Sequence, residues 1–334
     1  MSQSFRIGFI GAGRQAIEEM ALVVQSNFGE VSAVCDVDLK AAKSLAASYK
    51  IPYYQDYKEM ISQEHLDGVF ICVPHNDHFS LSMYALQNNL HVIKEKPFAL
   101  SVKDGMELVS TSKRMKRSIL TMMQRRGHSS YQEGKNVLDQ VGKVFLFRGF
   151  YTFNGDPYDY GWRGINRISG GGTVIDMGYH ILDLVIWYLG LPNFVYAQLT
   201  NFARPDVSYE TEDSALITFR LPKSMGSIVL TRASHPKEEK IYIHGTKGTL
   251  IVDRQSVKVI ALNGEVVNSQ KFDKDWSNSI INQLDEFIIT VMAGGFVDSS
   301  DQMDHLILLE SIYRSQKTGM SEPVISNKNN LKVI

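Results

Sequence analysis

Cysteine is nearly missing from this chain of 334 residues: only Cys35 and Cys72 occur, each inside an apolar run that reads as a buried strand. A disulfide framework is therefore not the expected basis of the fold, and a reducing compartment, the cytoplasm, is the expected setting. A charge excess is missing too. Lys+Arg 35 stand against Asp+Glu 36, a formal net charge of -1, so no global field draws the chain to nucleic acid or to an anionic membrane. No apolar run reaches the ~18 residues of a membrane span, and the start, MSQSFRIGFIGAG, has no basic stretch ahead of a long apolar one. No Pro/Gly/Ser linker, internal repeat or low-complexity segment interrupts the sequence. These absences leave a soluble chain, long enough for two closely packed domains, whose partner is a small molecule rather than nucleic acid or membrane.

What is present divides into two patterns. From residue 5 to about 122, short apolar runs (FRIGFIG, VSAVCDV, DGVFICV, HVIKE, SILTMM) alternate with helical segments such as LKAAKSLAASY and LSMYALQN. Strand-helix alternation predicts a doubly wound parallel sheet, with ligands at the carboxyl ends of its strands. After residue 140 the runs KVFLFRGFYTF, NFVYAQLTNF, SALITFRL, GSIVLTRA, KIYIHG, GTLIVD and SVKVIAL follow one another through short turns. They predict a large, mostly antiparallel sheet, with helices at about 276–293 and 301–318. The expected class is α/β, with a first domain over 1–123 and a second over 124–334.

The first strand runs into Gly11-x-Gly13-x-x-Ala16. Gly11 permits the tight turn, Gly13 lets the backbone approach a pyrophosphate, and Ala16 permits close helix-sheet packing, with Ala12, Arg14 and Gln15 around them. The second strand ends at CDVD, placing Asp36 where a carboxylate grips the adenosine ribose, while Asp38 suits the cap of the next helix. Asp36 repels a 2′-phosphate and favours NAD; Arg14, able to reach such a phosphate, keeps NADP possible. The fourth strand's rim carries Val73, Pro74, His75 and His78, and the fifth carries Glu95, Lys96 and Pro97. His75 and His78 have an HxxH spacing without an evident third ligand, so no metal is expected.

GGGTVIDMGYHILD, residues 170–183, spaces Asp176, His180 and Asp183 at intervals that share one face of an α-helix otherwise filled with apolar side chains. A histidine between two carboxylates in such a setting is a satisfied core network, a metal site or an acid-base centre. DPYDYGWRGINR adds Tyr158, Asp159, Trp162 and Arg163, and QRRGH adds Arg126, as candidate contacts to a polar ligand.

In order along the chain, GFIGAGRQA, CDVD, ICVPHNDH, HVIKEKP, MQRRGH, GGGTVIDMGYHILD, TEDSALITF and IYIHGTKGTLIVD resemble the Gfo/Idh/MocA oxidoreductases. The resemblance implies a Rossmann domain joined to an α/β domain with an open sheet, assembly as a homodimer or homotetramer, and NAD(P)-dependent oxidation of a sugar, sugar phosphate or cyclitol hydroxyl. By motif, it makes Lys96, Asp176 and His180 the catalytic set, implies a cis Lys96–Pro97 peptide, and brings the glycine triplet close to cofactor and substrate. The chemistry agrees: histidine has a near-neutral reference pKa suited to accepting the hydroxyl proton, and an ammonium stabilises developing alkoxide charge. Asp183 is expected to orient the other imidazole nitrogen or to cap the network. Departures from the family pattern are Val73 where Thr or Ser is common, His75 where Asn is common, and Gly127 where an aromatic is common. Alternatives are a ketosugar reductase of antibiotic or nucleotide-sugar biosynthesis and, from another class, a catalytically silent NAD-binding regulator.

Overall fold

The structure, a computed structural model, describes residues 4–155, 161–205 and 207–325. These form two compact units, one of residues 4–122 and 280–303, the other of residues 123–279 and 304–325. No described helix is long and apolar enough to cross a membrane.

The first unit is a six-stranded sheet of β1 (Phe5–Ile10), β2 (Gly29–Cys35), β3 (Tyr53–Tyr54), β4 (Gly68–Ile71), β5 (His91–Lys94) and β6 (Ile119–Thr121). Its strand order is 3-2-1-4-5-6, and every pairing is parallel. Strand order reverses between β1 and β4, which opens a crevice at their carboxyl ends. The crossovers are α1 (Arg14–Val23), α2 (Leu39–Tyr49), α3 (Tyr57–Gln63), α4 (His78–Gln87) and α5 (Val102–Met115). Asp38 caps α2 as expected, accepting from the Lys40 and Ala41 amides at 2.9 and 3.3 Å. Strand interiors such as Ile7, Phe9, Val69, Phe70, Ile71, Val92 and Ile93 are wholly buried, as a sheet covered on both faces requires.

Residues 280–303, far along the chain, return to this unit. Ile288 packs against the bare backbone of Gly29, the Phe287 ring meets His91 edge-on at 6.2 Å, and the Val297 amide donates to Ser118 Oγ at 2.9 Å. An amphipathic pattern shows that a helix has a face to bury, not which sheet will receive it.

The second unit is built on nine strands: β7 (Val144–Asn154), β8 (Phe194–Thr200), β9 (Ser214–Arg220), β10 (Met225–Thr231), β11 (Ala233–Gly245), β12 (Gly248–Asp253), β13 (Ser256–Ala261), β14 (Val266–Lys271) and β15 (Glu322–Pro323). Their order is 14-13-12-11-7-10-9-8-15, antiparallel throughout except where β7 meets β10. Helices α6 (Gln124–Gly127), α7 (Ser129–Asn136), α8 (Asn166–Ser169), α9 (Tyr179–Leu189) and α11 (Gln302–Thr318) accompany it, with α10 (Trp276–Met292) between the last two. The strands alternate: Phe147, Ala215, Ile217, Ile228 and Leu230 are buried on one face, while Leu216 and Met225 stand exposed on the other. On the outward face a cavity of about 470 Å³ opens among Leu146, Phe194, Tyr196 and Met225. Beneath the sheet, Arg125 is fully buried, its Nε 2.7 Å from Glu239 Oε1, and Arg254 closes the other side of that carboxylate at 2.5 Å.

Candidate active site

In the first unit the functional residues gather on the carboxyl rim of β1, β2, β4 and β5. Gly11 has φ +106°, and a Cβ there would lie 2.2 Å from the Cys72 carbonyl oxygen, so the turn after β1 admits only glycine. At Gly13, the cap of α1, a Cβ would meet nothing within 4 Å, and no side chain caps the helix. Uncapped first-turn amides beside open space make a ready cradle for phosphate oxygens. Ala16 is fully buried behind them. Asp36 holds the rim together: its Oδ2 accepts from the Ala12 amide at 2.7 Å and its Oδ1 from the Asp38 amide at 2.8 Å. Arg14 is highly exposed and pairs with Glu18 at 3.0 Å.

The turn that follows β5 carries Glu95 and Lys96, and its Lys96–Pro97 peptide is cis. Lys96 is half-buried, whereas Glu95 is buried and accepts from Gln15 Nε2 at 3.3 Å. Val73 and Pro74 lie half-buried at the end of β4. His78, read as a cofactor contact, is enclosed by backbone carbonyls. Its ring is 1% exposed, with Nδ1 3.3 Å from the Pro97 carbonyl and Nε2 3.0 Å from the Val73 carbonyl. Burial, reinforced by Lys94 and His75, holds its pKa well below the usual histidine range, so the ring is neutral and its single N–H donates to one of these two carbonyls while the other nitrogen only packs against its neighbour. Lys94, also fully buried, donates to the Phe98 carbonyl at 2.7 Å, and burial lowers its ammonium to about 7.

In the second unit the 170–183 stretch departs from a regular helix. Val174–Gly178 forms a π turn before α9 begins at Tyr179. Asp176 lies inside that turn, ahead of the regular helix that carries His180 and Asp183, and it has partners of its own. Asp176 Oδ2 is ion-paired with Arg232 and, at 3.3 Å, with Arg163, whose guanidinium lies over the Trp162 ring at 4.3 Å. His180 is buried at 8% exposure. Asp183 does not orient it. Fully buried, Asp183 Oδ1 accepts from His305 Nε2 at 2.8 Å and from Arg126 Nε at 2.8 Å, which also commits Arg126. Burial raises the Asp183 pKa, but the His305 hydrogen bond and the Arg126 charge outweigh it, and the carboxyl titrates below its ordinary range. The glycines before the π turn serve the protein interior: a Cβ at Gly171 would lie 1.9 Å from Tyr313 Oη, and one at Gly172 would lie 1.9 Å from the Glu212 carbonyl oxygen. Glu212 then accepts from the Val174 amide at 3.0 Å. Tyr158 and Asp159 lie outside the described residues. Among the described residues, no group of three metal-ligating side chains occurs.

A family model described as an oxidoreductase family with an NAD-binding Rossmann fold matches residues 5–122, and one described as the GFO/IDH/MocA C-terminal domain matches residues 131–251. The chain belongs to the Gfo/Idh/MocA oxidoreductases. Among curated members of the family, it is similar to myo-inositol 2-dehydrogenase of Thermotoga maritima, 23% identical over 304 residues, covering 86% of this chain and 89% of that one. It is also similar to D-glucoside 3-dehydrogenase of Escherichia coli, 27% identical over 195 residues, 57% of this chain and 56% of that one. Among solved Gfo/Idh/MocA-like folds, levoglucosan dehydrogenase in complex with NADH and levoglucosan superposes with a TM-score of 0.88 at 18% identity, covering 97% of this chain and 100% of that one.

As a member of this family the chain is an NAD-dependent oxidoreductase, and its first unit is the NAD-binding domain. The rim fits that cofactor: the open space at Gly13, the uncapped α1 amides and the oriented Asp36 carboxylate supply what a pyrophosphate and a ribose diol require. Sequence reading missed Arg232, Glu212 and His305. Glu212 lies within the quoted TEDSALITF stretch and Arg232 just after GSIVLT, but nothing local marks what either will bind, and His305 lies 122 residues from the carboxylate it binds.

Proposed function

We propose that the enzyme oxidises a secondary hydroxyl on a polyhydroxylated ring, a sugar, sugar phosphate or cyclitol, with Lys96 and His180 as its acid-base pair. The observation that carries this reading is Lys96, half-buried on the same carboxyl rim as the glycine turn and Asp36, where an ammonium serves a substrate oxygen. The names of the relatives, which act on inositol and glucoside hydroxyls, support the substrate class. Nicotinamide, when bound, supplies the hydride acceptor. His180 takes the hydroxyl proton as the hydride leaves, and Lys96 hydrogen-bonds the same oxygen and offsets its developing negative charge. Asp176, fixed by Arg163 and Arg232, accepts from a neighbouring hydroxyl. The Trp162 ring and Arg163 orient the sugar face.

The test is a panel of sugars, sugar phosphates and inositols, each with NAD and NADP, followed by reduced-nicotinamide absorbance. His180→Ala should lower kcat on the best substrate by about 10² to 10⁴ with NAD affinity nearly unchanged. Lys96→Ala should act similarly, and the double mutant should lose less than the product of the two single losses. Near-normal turnover by His180→Ala would return the helix to a structural role. No turnover of any panel member in either direction would favour the silent regulator.

A further inference from the structure

Beneath the cofactor rim lies a group of polar side chains to which the mechanism assigns no task. Glu19, on the buried face of α1, is 1% exposed, and Glu95, in the turn after β5, is 9% exposed. Gln15 Nε2 donates to both, at 2.9 Å to Glu19 Oε1 and at 3.3 Å to Glu95 Oε1. That shared donor holds the Glu19 and Glu95 carboxyls side by side in the protein interior. A direct hydrogen bond between two carboxyls needs a proton on one of them, because a carboxylate only accepts. Glu19 Oε2 is the atom placed to carry it: it is buried, and no N–H or O–H donor among the described residues reaches it. Like charges held together in a site closed to water are relieved by retaining one proton between them.

We propose that Glu19 is a positioning residue: its carboxyl keeps one proton at neutral pH, donates it to Glu95, and so ties the turn bearing Lys96 to α1, the helix whose N-terminus receives the dinucleotide. The electrostatics run the same way. Burial raises the Glu19 pKa well above the ordinary range, and the Glu95 charge and hydrogen bond raise it further; Glu18, on the same helix, adds to this, and only the Gln15 hydrogen bond opposes it. Past the end of β4, burial raises the Cys72 thiol pKa and the nearby Glu95 charge adds to this, so the thiol stays neutral. The linkage has a definite sign. A carboxyl whose pKa is higher folded than unfolded binds its proton more tightly in the native state, so its contribution to stability is greatest at low pH and declines as pH rises from about 4.3, the unfolded value, through the folded pKa.

The proposal rests on Lys96 as the hydroxyl partner, and Glu19→Gln separates the two claims. Glutamine keeps the shape and donates an N–H to Glu95 without needing a proton. In the full-length protein without cofactor, Glu19→Gln should match wild type in thermal melting near pH 5 and exceed it by about 2 °C or more at pH 9. In turnover, wild-type kcat should fall on an alkaline limb that Glu19→Gln removes, with the KM for substrate little changed. Glu19→Leu, which cannot donate, should lose kcat at every pH while Glu19→Gln retains it. A melting difference that is the same at pH 5 and pH 9 overturns the shared proton. An alkaline limb that survives in Glu19→Gln overturns the positioning role. Failure of Lys96 itself would appear only in Lys96→Ala, and the melting result does not depend on it.

Discussion

Asp36 shows how one side chain can serve the fold and the cofactor at once. Each of its oxygens takes one backbone amide, Ala12 on one side and Asp38 on the other, which fixes the carboxylate plane at the rim while leaving lone pairs for ribose hydroxyls. A fixed anion at that point repels a 2′-phosphate, and Arg14, spent on Glu18, offers little compensation. NAD should therefore bind more tightly than NADP, and Asp36→Ala should weaken NAD by about ten-fold or more, the cost of hydrogen bonds to a charged acceptor, while narrowing or inverting the preference. Calorimetry with both nucleotides checks this, and tighter NADP binding by the wild type would make Arg14 the dominant contact. At the same scale the sequence reading was uneven. Gly11, Gly13, Asp36 and Asp38 could be read because each works through the backbone within a few residues of itself. The burial of His78 between the Val73 and Pro97 carbonyls could not be read, since nothing local distinguishes an exposed histidine from one enclosed by backbone carbonyls.

At the scale of elements, α9 and the π turn before it decide where the second unit's chemistry points. Regular helical spacing predicts one stripe of Asp176, His180 and Asp183; Asp176 lies in the π turn and pairs with Arg163 and Arg232, while Asp183 locks α9 to α6 and α11 through Arg126 and His305. Removing the Asp183 charge leaves the buried His305 imidazole and the partly buried Arg126 guanidinium without their carboxylate. Asp183→Asn should cost about 3–5 kcal/mol in urea unfolding, as for other broken buried pairs. Its pKa is depressed in the native state, so its contribution is fully present above the unfolded value of about 3.9 and is lost as pH falls through the folded one. Wild type should lose stability toward pH 3 more steeply than Asp183→Asn. Parallel acid profiles, or a cost below about 1 kcal/mol, would place the anchor of α9 elsewhere.

For the whole molecule, the nine-stranded sheet raises the question of what covers its outward face. Phe194, Leu216 and Met225 are 44%, 55% and 60% exposed there, beside the open cavity, a grouping of apolar side chains of the kind found at interaction surfaces. We expect a homodimer or homotetramer through this face, with a light-scattering mass at least twice 37.7 kDa at micromolar concentration. Leu216→Glu with Met225→Glu should reduce it, whereas a wild-type monomer would refute the assembly. The sequence alone determined the two kinds of sheet, the positions of nearly all their strands, the glycine turn, the Asp36 carboxylate and the lysine turn, because periodicity and backbone chemistry act between neighbours in the chain. Tertiary structure decided which sheet received residues 280–303, which side chains fixed Asp176 and Asp183, and that Glu19 would meet Glu95. Those outcomes depend on distant segments competing to bury the same apolar faces and to satisfy the same buried charges, and no local pattern records which partner wins.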